Sequence, residues 1–429
     1  MSRSQVAVPA SFEALGDGPL ESIDMLGRNK ILAAVSGKRK SGKAASVASA
    51  FATIKRNDFK YKSLSSWTYN IAVGCRHGCR FCYVPKTQHT QRGKEKENTG
   101  ALATALREFG VLDPDTDWGQ YVLFRPWDEK KFMASLRRAE KTLPGKLKPD
   151  GNRAVIMCST TDPYQVIRIK GNPGKQNLLN RHARFLVRRA LELIFENSTL
   201  NVRILTRSPL AKEDFDLYKK FGNRLMFGMS LPTLRPDLLK VYEPHAPGAD
   251  ARLETLRLAA KARIPLFVAV APTYPDLGED DLRAVFKAIK PLKPLTIFHE
   301  PINIRAENVE RIAAHARDLK VDLRTDVFES SWKWRNYAVK QLMTAQKVAT
   351  ELGMLDHLHL WPDKSLRARG AFMEARQAAF REGNPNRRET RYEKKMRLEE
   401  DKTKYEEFLA WLDQWHQRRS EWPGKKKSV

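Results

Sequence analysis

Short apolar runs and longer amphipathic stretches alternate along the middle of the chain. The short runs are Thr68–Val73, Tyr121–Phe124, Ala154–Met157, Val202–Thr206, Leu225–Met229, Leu266–Ala271 and Leu295–Phe298. They are rich in β-branched and aromatic residues, which suit buried strands. Between them, Phe132–Lys141, Leu178–Asn197, Ala251–Lys261 and Asp280–Ile289 repeat apolar positions at helical spacing. Strand and helix in alternation predict right-handed βαβ units and a parallel sheet with helices outside it. Six or seven such units curl into a partial TIM-like (β/α) barrel, an α/β architecture whose functional groups lie at the C-terminal strand ends.

The flanks read differently. Residues 1–66 predict a basic N-terminal extension, residues 67–363 the barrel with its late elements, and residues 364–429 a charged helical C-terminal tail. In that tail Tyr405, Phe408, Leu409, Leu412 and Trp415 form one stripe, expected to pack on the barrel, and Lys425–Lys427 form a basic end. In the N-terminal stretch Gly37, Gly42 and Lys43 resemble a phosphate-binding loop, but Ala44 stands where a magnesium-binding hydroxyl belongs, so a solvated basic segment is the better reading. Near the end of the barrel region His357 and His359 alternate along a strand-like run without a third ligand, and read as ordinary strand residues.

Charge adds a partner class. The 429 residues carry a formal net charge of +27, a field that favours polyanions such as DNA or RNA over neutral ligands. No run of apolar residues is long enough for a membrane span, and no leader peptide precedes the first element, so a cytoplasmic protein without membrane contact is expected.

Cysteine usage supplies the chemistry. Of four cysteines, Cys75, Cys79 and Cys82 share one loop directly after the first predicted strand, spaced C-x3-C-x2-C. Such crowding argues against disulfides and for metal held by free thiols. Zinc asks for a fourth ligand, which His77 would have to supply awkwardly from inside the loop. A four-cysteine cluster is excluded by the count and spacing. Three cysteines with an aromatic, Phe81, before the third match the pattern of radical S-adenosylmethionine enzymes. There, three thiolates bind three irons of a 4Fe–4S cluster and the fourth iron stays open for S-adenosylmethionine.

From about Ser66 to Asn303 the chain resembles the spore photoproduct lyase-like branch of that superfamily, often labelled DNA repair photolyase-like. The resemblance is carried by Asn70–Tyr83, Thr161-Asp162-Pro163-Tyr164-Gln165, Ile204–Ser208, Tyr242–Pro247 and Val270–Pro275. It implies a lyase or repair-type radical reaction on nucleic acid, and an electron donor of flavodoxin or ferredoxin type. It implies further that Thr161, Asp162, Arg207, Ser230 and Ala271 hold S-adenosylmethionine along the strand ends. A cationic Arg207 suits the methionyl carboxylate. The Gly-Gly-Glu segment common after the second strand is replaced by Arg125–Glu129. Cys158 is a candidate catalytic hydrogen donor, although it stands one residue farther from Asp162 than the lyase pattern puts its cysteine. Two other readings stay open: a radical enzyme for a peptide or small molecule, and a non-catalytic iron–sulfur or zinc protein that binds nucleic acid.

Overall fold

The apolar runs become strands that build two sheets. The structure, a computed structural model, describes residues 32–35, 51–57, 64–86, 106, 111, 113–143, 146–147, 153–305 and 307–418. The larger sheet contains β2 (Ile54–Arg56), β3 (Trp67–Tyr69), β6 (Ala154–Met157), β7 (Asn201–Thr206), β8 (Leu225–Ser230), β9 (Leu266–Thr273), β10 (Thr296–Pro301) and β11 (Leu358–Leu360), in that spatial order. Every neighbouring pair from β3 to β11 is parallel, and β2 adds an antiparallel edge. The edge strands β2 and β11 do not pair with each other, so the barrel is open.

Side chains alternate across this sheet as the pleat requires. Val155, Val202, Ile204, Phe227, Val268 and Ile297 point outward into the main core beneath the helices. Ile156, Met226, Phe267 and Phe298 point inward and cluster with Leu64. The outer layer includes α2 (Pro173–Asn197), α5 (Ala249–Lys261), α6 (Glu279–Ile289), α7 (Asn308–Leu319) and α8 (Ser331–Glu351). The remaining helices before the C-terminal tail are α1 (Glu129–Glu140) and the short α3 (Phe215–Phe221) and α4 (Pro236–Tyr242).

Three expectations are corrected. The run Thr68–Val73 is not one strand but two: β3 in the barrel and β4 (Ala72–Gly74) in a second sheet with β5 (Tyr121–Phe124) and β1 (Leu32–Val35), ordered β1-β5-β4 and antiparallel. The chain turns at Asn70, whose Oδ1 accepts from the backbone N–H of Ser159 (2.8 Å) and Thr160 (3.1 Å) after β6. Tyr121–Phe124 is therefore a strand of the small sheet and not of the barrel. The stretch assigned to an extension also supplies β1 and β2, because each gives an otherwise bare sheet edge a partner.

Of the C-terminal helices α9 (Arg369–Gly383) and α10 (Arg391–Arg418), α10 packs on the barrel through Leu412 and Trp415, which lie in the main core. The Arg335 guanidinium sits 4.5 Å from the ring centres of both Phe372 and Phe408. His357 falls before β11 in an exposed turn, whereas His359 is buried beside the Phe298 ring, so the two histidines share no strand face. The phosphate-loop-like residues 37–44 and the basic end 425–427 lie outside the described residues. Among the described residues no helix is long and apolar enough to cross a membrane.

Candidate cofactor site

The cysteine loop begins where β4 stops. Gly74 ends that strand at φ +87°, and a Cβ there would lie 2.3 Å from the Tyr121 carbonyl oxygen. Only glycine satisfies both the left-handed backbone and the close approach of β5. Gly74→Ala is expected to destabilise the fold by about 2–4 kcal/mol, the sum of a left-handed alanine and an overpacked contact. Denaturant unfolding checks this; an unchanged midpoint would refute the role given to Gly74.

Backbone ties then fix the loop from several sides. The Arg80 N–H donates to the Tyr242 carbonyl (2.9 Å) at the end of α4. From α7, Asn308 Nδ2 donates to the Phe81 carbonyl (3.2 Å), and Arg311 donates to the carbonyls of Arg80 (3.3 Å) and Cys82 (2.5 Å). Arg311 is itself ion-paired with buried Asp115.

The loop after β6 closes on the same place. Thr161 Oγ1 donates to the Gly74 carbonyl (2.6 Å) and accepts from Gln165 Nε2 (2.7 Å). Gln165 Oε1 accepts from the Arg76 N–H (2.7 Å). Asp162 is buried with its carboxylate engaged: Oδ1 accepts from the Tyr164 N–H (2.8 Å) and Thr206 Oγ1 (2.7 Å), and Oδ2 from the Arg207 N–H (2.8 Å). It braces the ends of β6 and β7, with His77 Nδ1 3.7 Å from Oδ2.

Arg207 follows β7, and its guanidinium carbon lies 5.5 Å from the Phe81 ring centre. A carboxylate from the Tyr242–Pro247 segment holds it there. Glu243 Oε1 accepts from Arg207 Nε (3.1 Å) and from the Tyr274 hydroxyl (3.2 Å), while Oε2 pairs with fully buried Arg252. Burial alone would push the Glu243 carboxyl up. The guanidiniums of Arg207 and Arg252 outweigh that and hold it down, to about 2. Tyr274 stacks on Tyr242 at 3.9 Å and lies 5.9 Å from Phe81, so one aromatic group backs the loop. Glu243 is the residue that reasoning from the sequence missed as a site member. It stands inside a quoted motif, but nothing in its spacing tells that it pairs with Arg207.

Of the remaining candidates, Ser230 ends β8, and its carbonyl accepts from Arg252 (3.0 Å), linking it to the same ion pair. Ala271 lies on β9 two residues beyond Ala269, the register partner of Ser230. Cys158 is buried directly after β6, at φ +65°, with its N–H donating to the Tyr69 carbonyl (2.7 Å). Burial pushes its thiol up, which keeps it protonated. Within Arg125–Glu129, Asp128 caps α1 and Glu129 pairs with Arg189, so neither acid turns to the loop.

The donor set itself indicates what it can hold. Burial raises all three loop thiols, Cys75 to about 12, with Asp162 and Cys82 adding to the effect on Cys75. Three thiolates in this setting need a compensating cationic centre. Among the described residues no three His, Cys, Asp or Glu side chains converge as ligands of a single ion. A 4Fe–4S cluster would take each thiol on a different iron, whereas one zinc ion would need all three on a single centre together with a fourth ligand.

Fold and loop together define an open-barrel protein that presents three cysteines at its strand ends. The chain belongs to the same family as the uncharacterized protein ORF301 of the Acidianus two-tailed virus, being 30% identical to it over 273 residues, 62% of this chain and 77% of the viral one. An uncharacterized protein of Methanocaldococcus jannaschii is 24% identical over 244 residues, 56% of this chain and 72% of its own length. No protein-family model matches the chain. Among solved structures, spore photoproduct lyase is similar at a TM-score of 0.48 and 15% identity, covering 72% of this chain and 80% of the lyase. The radical S-adenosylmethionine methyltransferase TsrM of Kitasatospora setae is similar at a TM-score of 0.33 and 14% identity, covering 56% of this chain and 36% of the methyltransferase.

Proposed function

We propose that this chain is a radical S-adenosylmethionine enzyme that acts on nucleic acid. The observation that carries the reading is the loop of Cys75, Cys79 and Cys82, braced on all sides and set beside the fixed guanidinium of Arg207 at the strand ends. The three thiols hold three irons of a 4Fe–4S cluster. Held there by Cys75, Cys79 and Cys82 and reduced by a flavodoxin- or ferredoxin-like donor, the cluster would supply the one-electron reductive cleavage of S-adenosylmethionine.

The chain's residues do the rest. Arg207 receives the methionyl carboxylate, its position set by Glu243. Thr161, Ser230 and Ala271 line the adjoining strand ends, and Asp162 contributes from behind by fixing the β6 and β7 termini. Cys158, kept as a neutral thiol, is in the protonation state needed to give a hydrogen atom to a product radical. The net charge of +27 supports a nucleic-acid substrate, and a lesion-repair reaction of lyase type is the specific form we favour.

The test is anaerobic reconstitution with iron and sulfide, followed by dithionite and S-adenosylmethionine. Formation of 5′-deoxyadenosine is expected; a fully loaded protein that yields none would remove the radical reading. Binding to DNA or RNA should weaken linearly in log K against log salt, with a slope that counts phosphate contacts. A flat salt dependence would point instead to a peptide or small-molecule substrate.

A further inference from the structure

The inner face of the barrel carries charge that the cysteine loop does not use. Val202 and Ile204 enter the main core, so Arg203 between them turns inward. Arg203 is 2% exposed. Its one hydrogen bond runs from Nη1 to the carbonyl of its neighbour Val202 (3.0 Å), and its buried Nε has no acceptor. It makes no ion pair with any carboxylate among the described residues. Burial alone shifts its pKa, down to about 10, without an opposing contribution from an acid.

Register places Arg203 in a cross-strand row. Lys55 on β2 pairs with Thr68 on β3, Thr68 with Ile156 on β6, and Ile156 with Arg203 on β7. Ile54, Trp67 and Val155 point into the main core, so this row faces inward. Lys55, on the open edge strand, is exposed and also makes no ion pair among the described residues. Partial burial, and after it the like charge of Arg125, lowers its pKa. Three inter-strand steps separate the two cations, about 14 Å of backbone. The row thus has a solvent-facing cation at the sheet edge and a sealed one inside, with no acid between them.

A buried guanidinium is ordinarily paired, because its desolvation is otherwise uncompensated. Its planar donors match two oxygens of a phosphate or carboxylate. We propose that this row is an anion site, in which Arg203 holds a phosphate-class group that enters past Lys55 at the open edge of the barrel. The assignment of that phosphate to a nucleotide substrate rests on the function proposed above; the anion site itself does not.

The test uses the full chain without cluster or cofactor, so its failure is separate from failure of the radical reading. Thermal unfolding is followed in sodium chloride and, at matched ionic strength, in inorganic phosphate or thymidine 5′-monophosphate, with thymidine as the uncharged control. Phosphate is expected to raise Tm by a few degrees over chloride, and Arg203→Met to abolish that rise while leaving Tm in chloride at or above the wild-type value. Arg203→Lys should retain part of the rise. A larger shift with thymidine 5′-monophosphate than with inorganic phosphate assigns the site to a nucleotide; equal shifts assign it to the free anion. The proposal is overturned if phosphate shifts wild type and Arg203→Met equally, if wild type does not respond, or if Arg203→Met melts well below wild type in chloride.

Discussion

Replacing Cys79 with alanine is expected to abolish cluster assembly and 5′-deoxyadenosine formation together, while the barrel stays folded. Cys79 is buried, but the loop around it is held by bonds that do not involve its sulfur: Arg80 to Tyr242, Asn308 to Phe81 and Arg311 to Cys82. Losing one sulfur atom from this packing costs on the order of 1 kcal/mol. Losing one of three thiolates leaves an iron without its protein ligand. The measurements are iron and sulfide content, deoxyadenosine yield and the melting curve. Product at the wild-type level from Cys79→Ala would end the assignment of this loop, and a collapsed melting curve would mean that the loop is part of the folding core.

Glu243→Ala is expected to damage the fold more than any cysteine change. Glu243 is the sole carboxylate paired with Arg252 among the described residues, and both side chains are fully buried. Removing one member of a buried pair typically costs about 3–5 kcal/mol, because the other charge is left uncompensated. The same substitution frees Arg207, so S-adenosylmethionine should bind more weakly at a given cluster content. Urea unfolding reads the first effect and cofactor titration the second; a variant with unchanged stability would show that the pair is not as enclosed as described. The pH dependence follows from the carboxyl being depressed in the folded chain. Its contribution is complete above the unfolded value of about 4.3 and is lost as pH falls through about 2. Wild-type stability should therefore not weaken through this group near neutrality.

Much of this site was legible from local sequence. The cysteine spacing, the apolar run before it and the strand ends at Thr161, Arg207 and Ser230 all lie within short windows, where period and residue type decide. What escaped depends on pairing at a distance. Thr68–Val73 has one continuous apolar character, and its division between two sheets follows from Asn70 bonding the residues that end the neighbouring strand β6. The strands β1 and β2 are short and flanked by basic residues, so their neighbours, β5 and β3, define them more than their own composition does. Glu243 is an ordinary acid until the fold brings Arg207 to it. Arg203 shows the same limit from the other side: an arginine inside a strand run reads as a solvent-facing residue, and only the alternation of Val202 and Ile204 into the core turns it inward.

The three consecutive carbonyls of Arg80, Phe81 and Cys82 are each gripped by a side chain of α7. These bonds hold the loop backbone without using the cysteine sulfurs. A zinc finger collapses when stripped of metal because the ion is its core; here the socket should outlast its contents. The empty protein would then be a stable, refillable species. Oxygen damage to the cluster would idle the molecule without sending it to proteolysis, and recovery would proceed at the pace of iron and sulfide delivery instead of new synthesis.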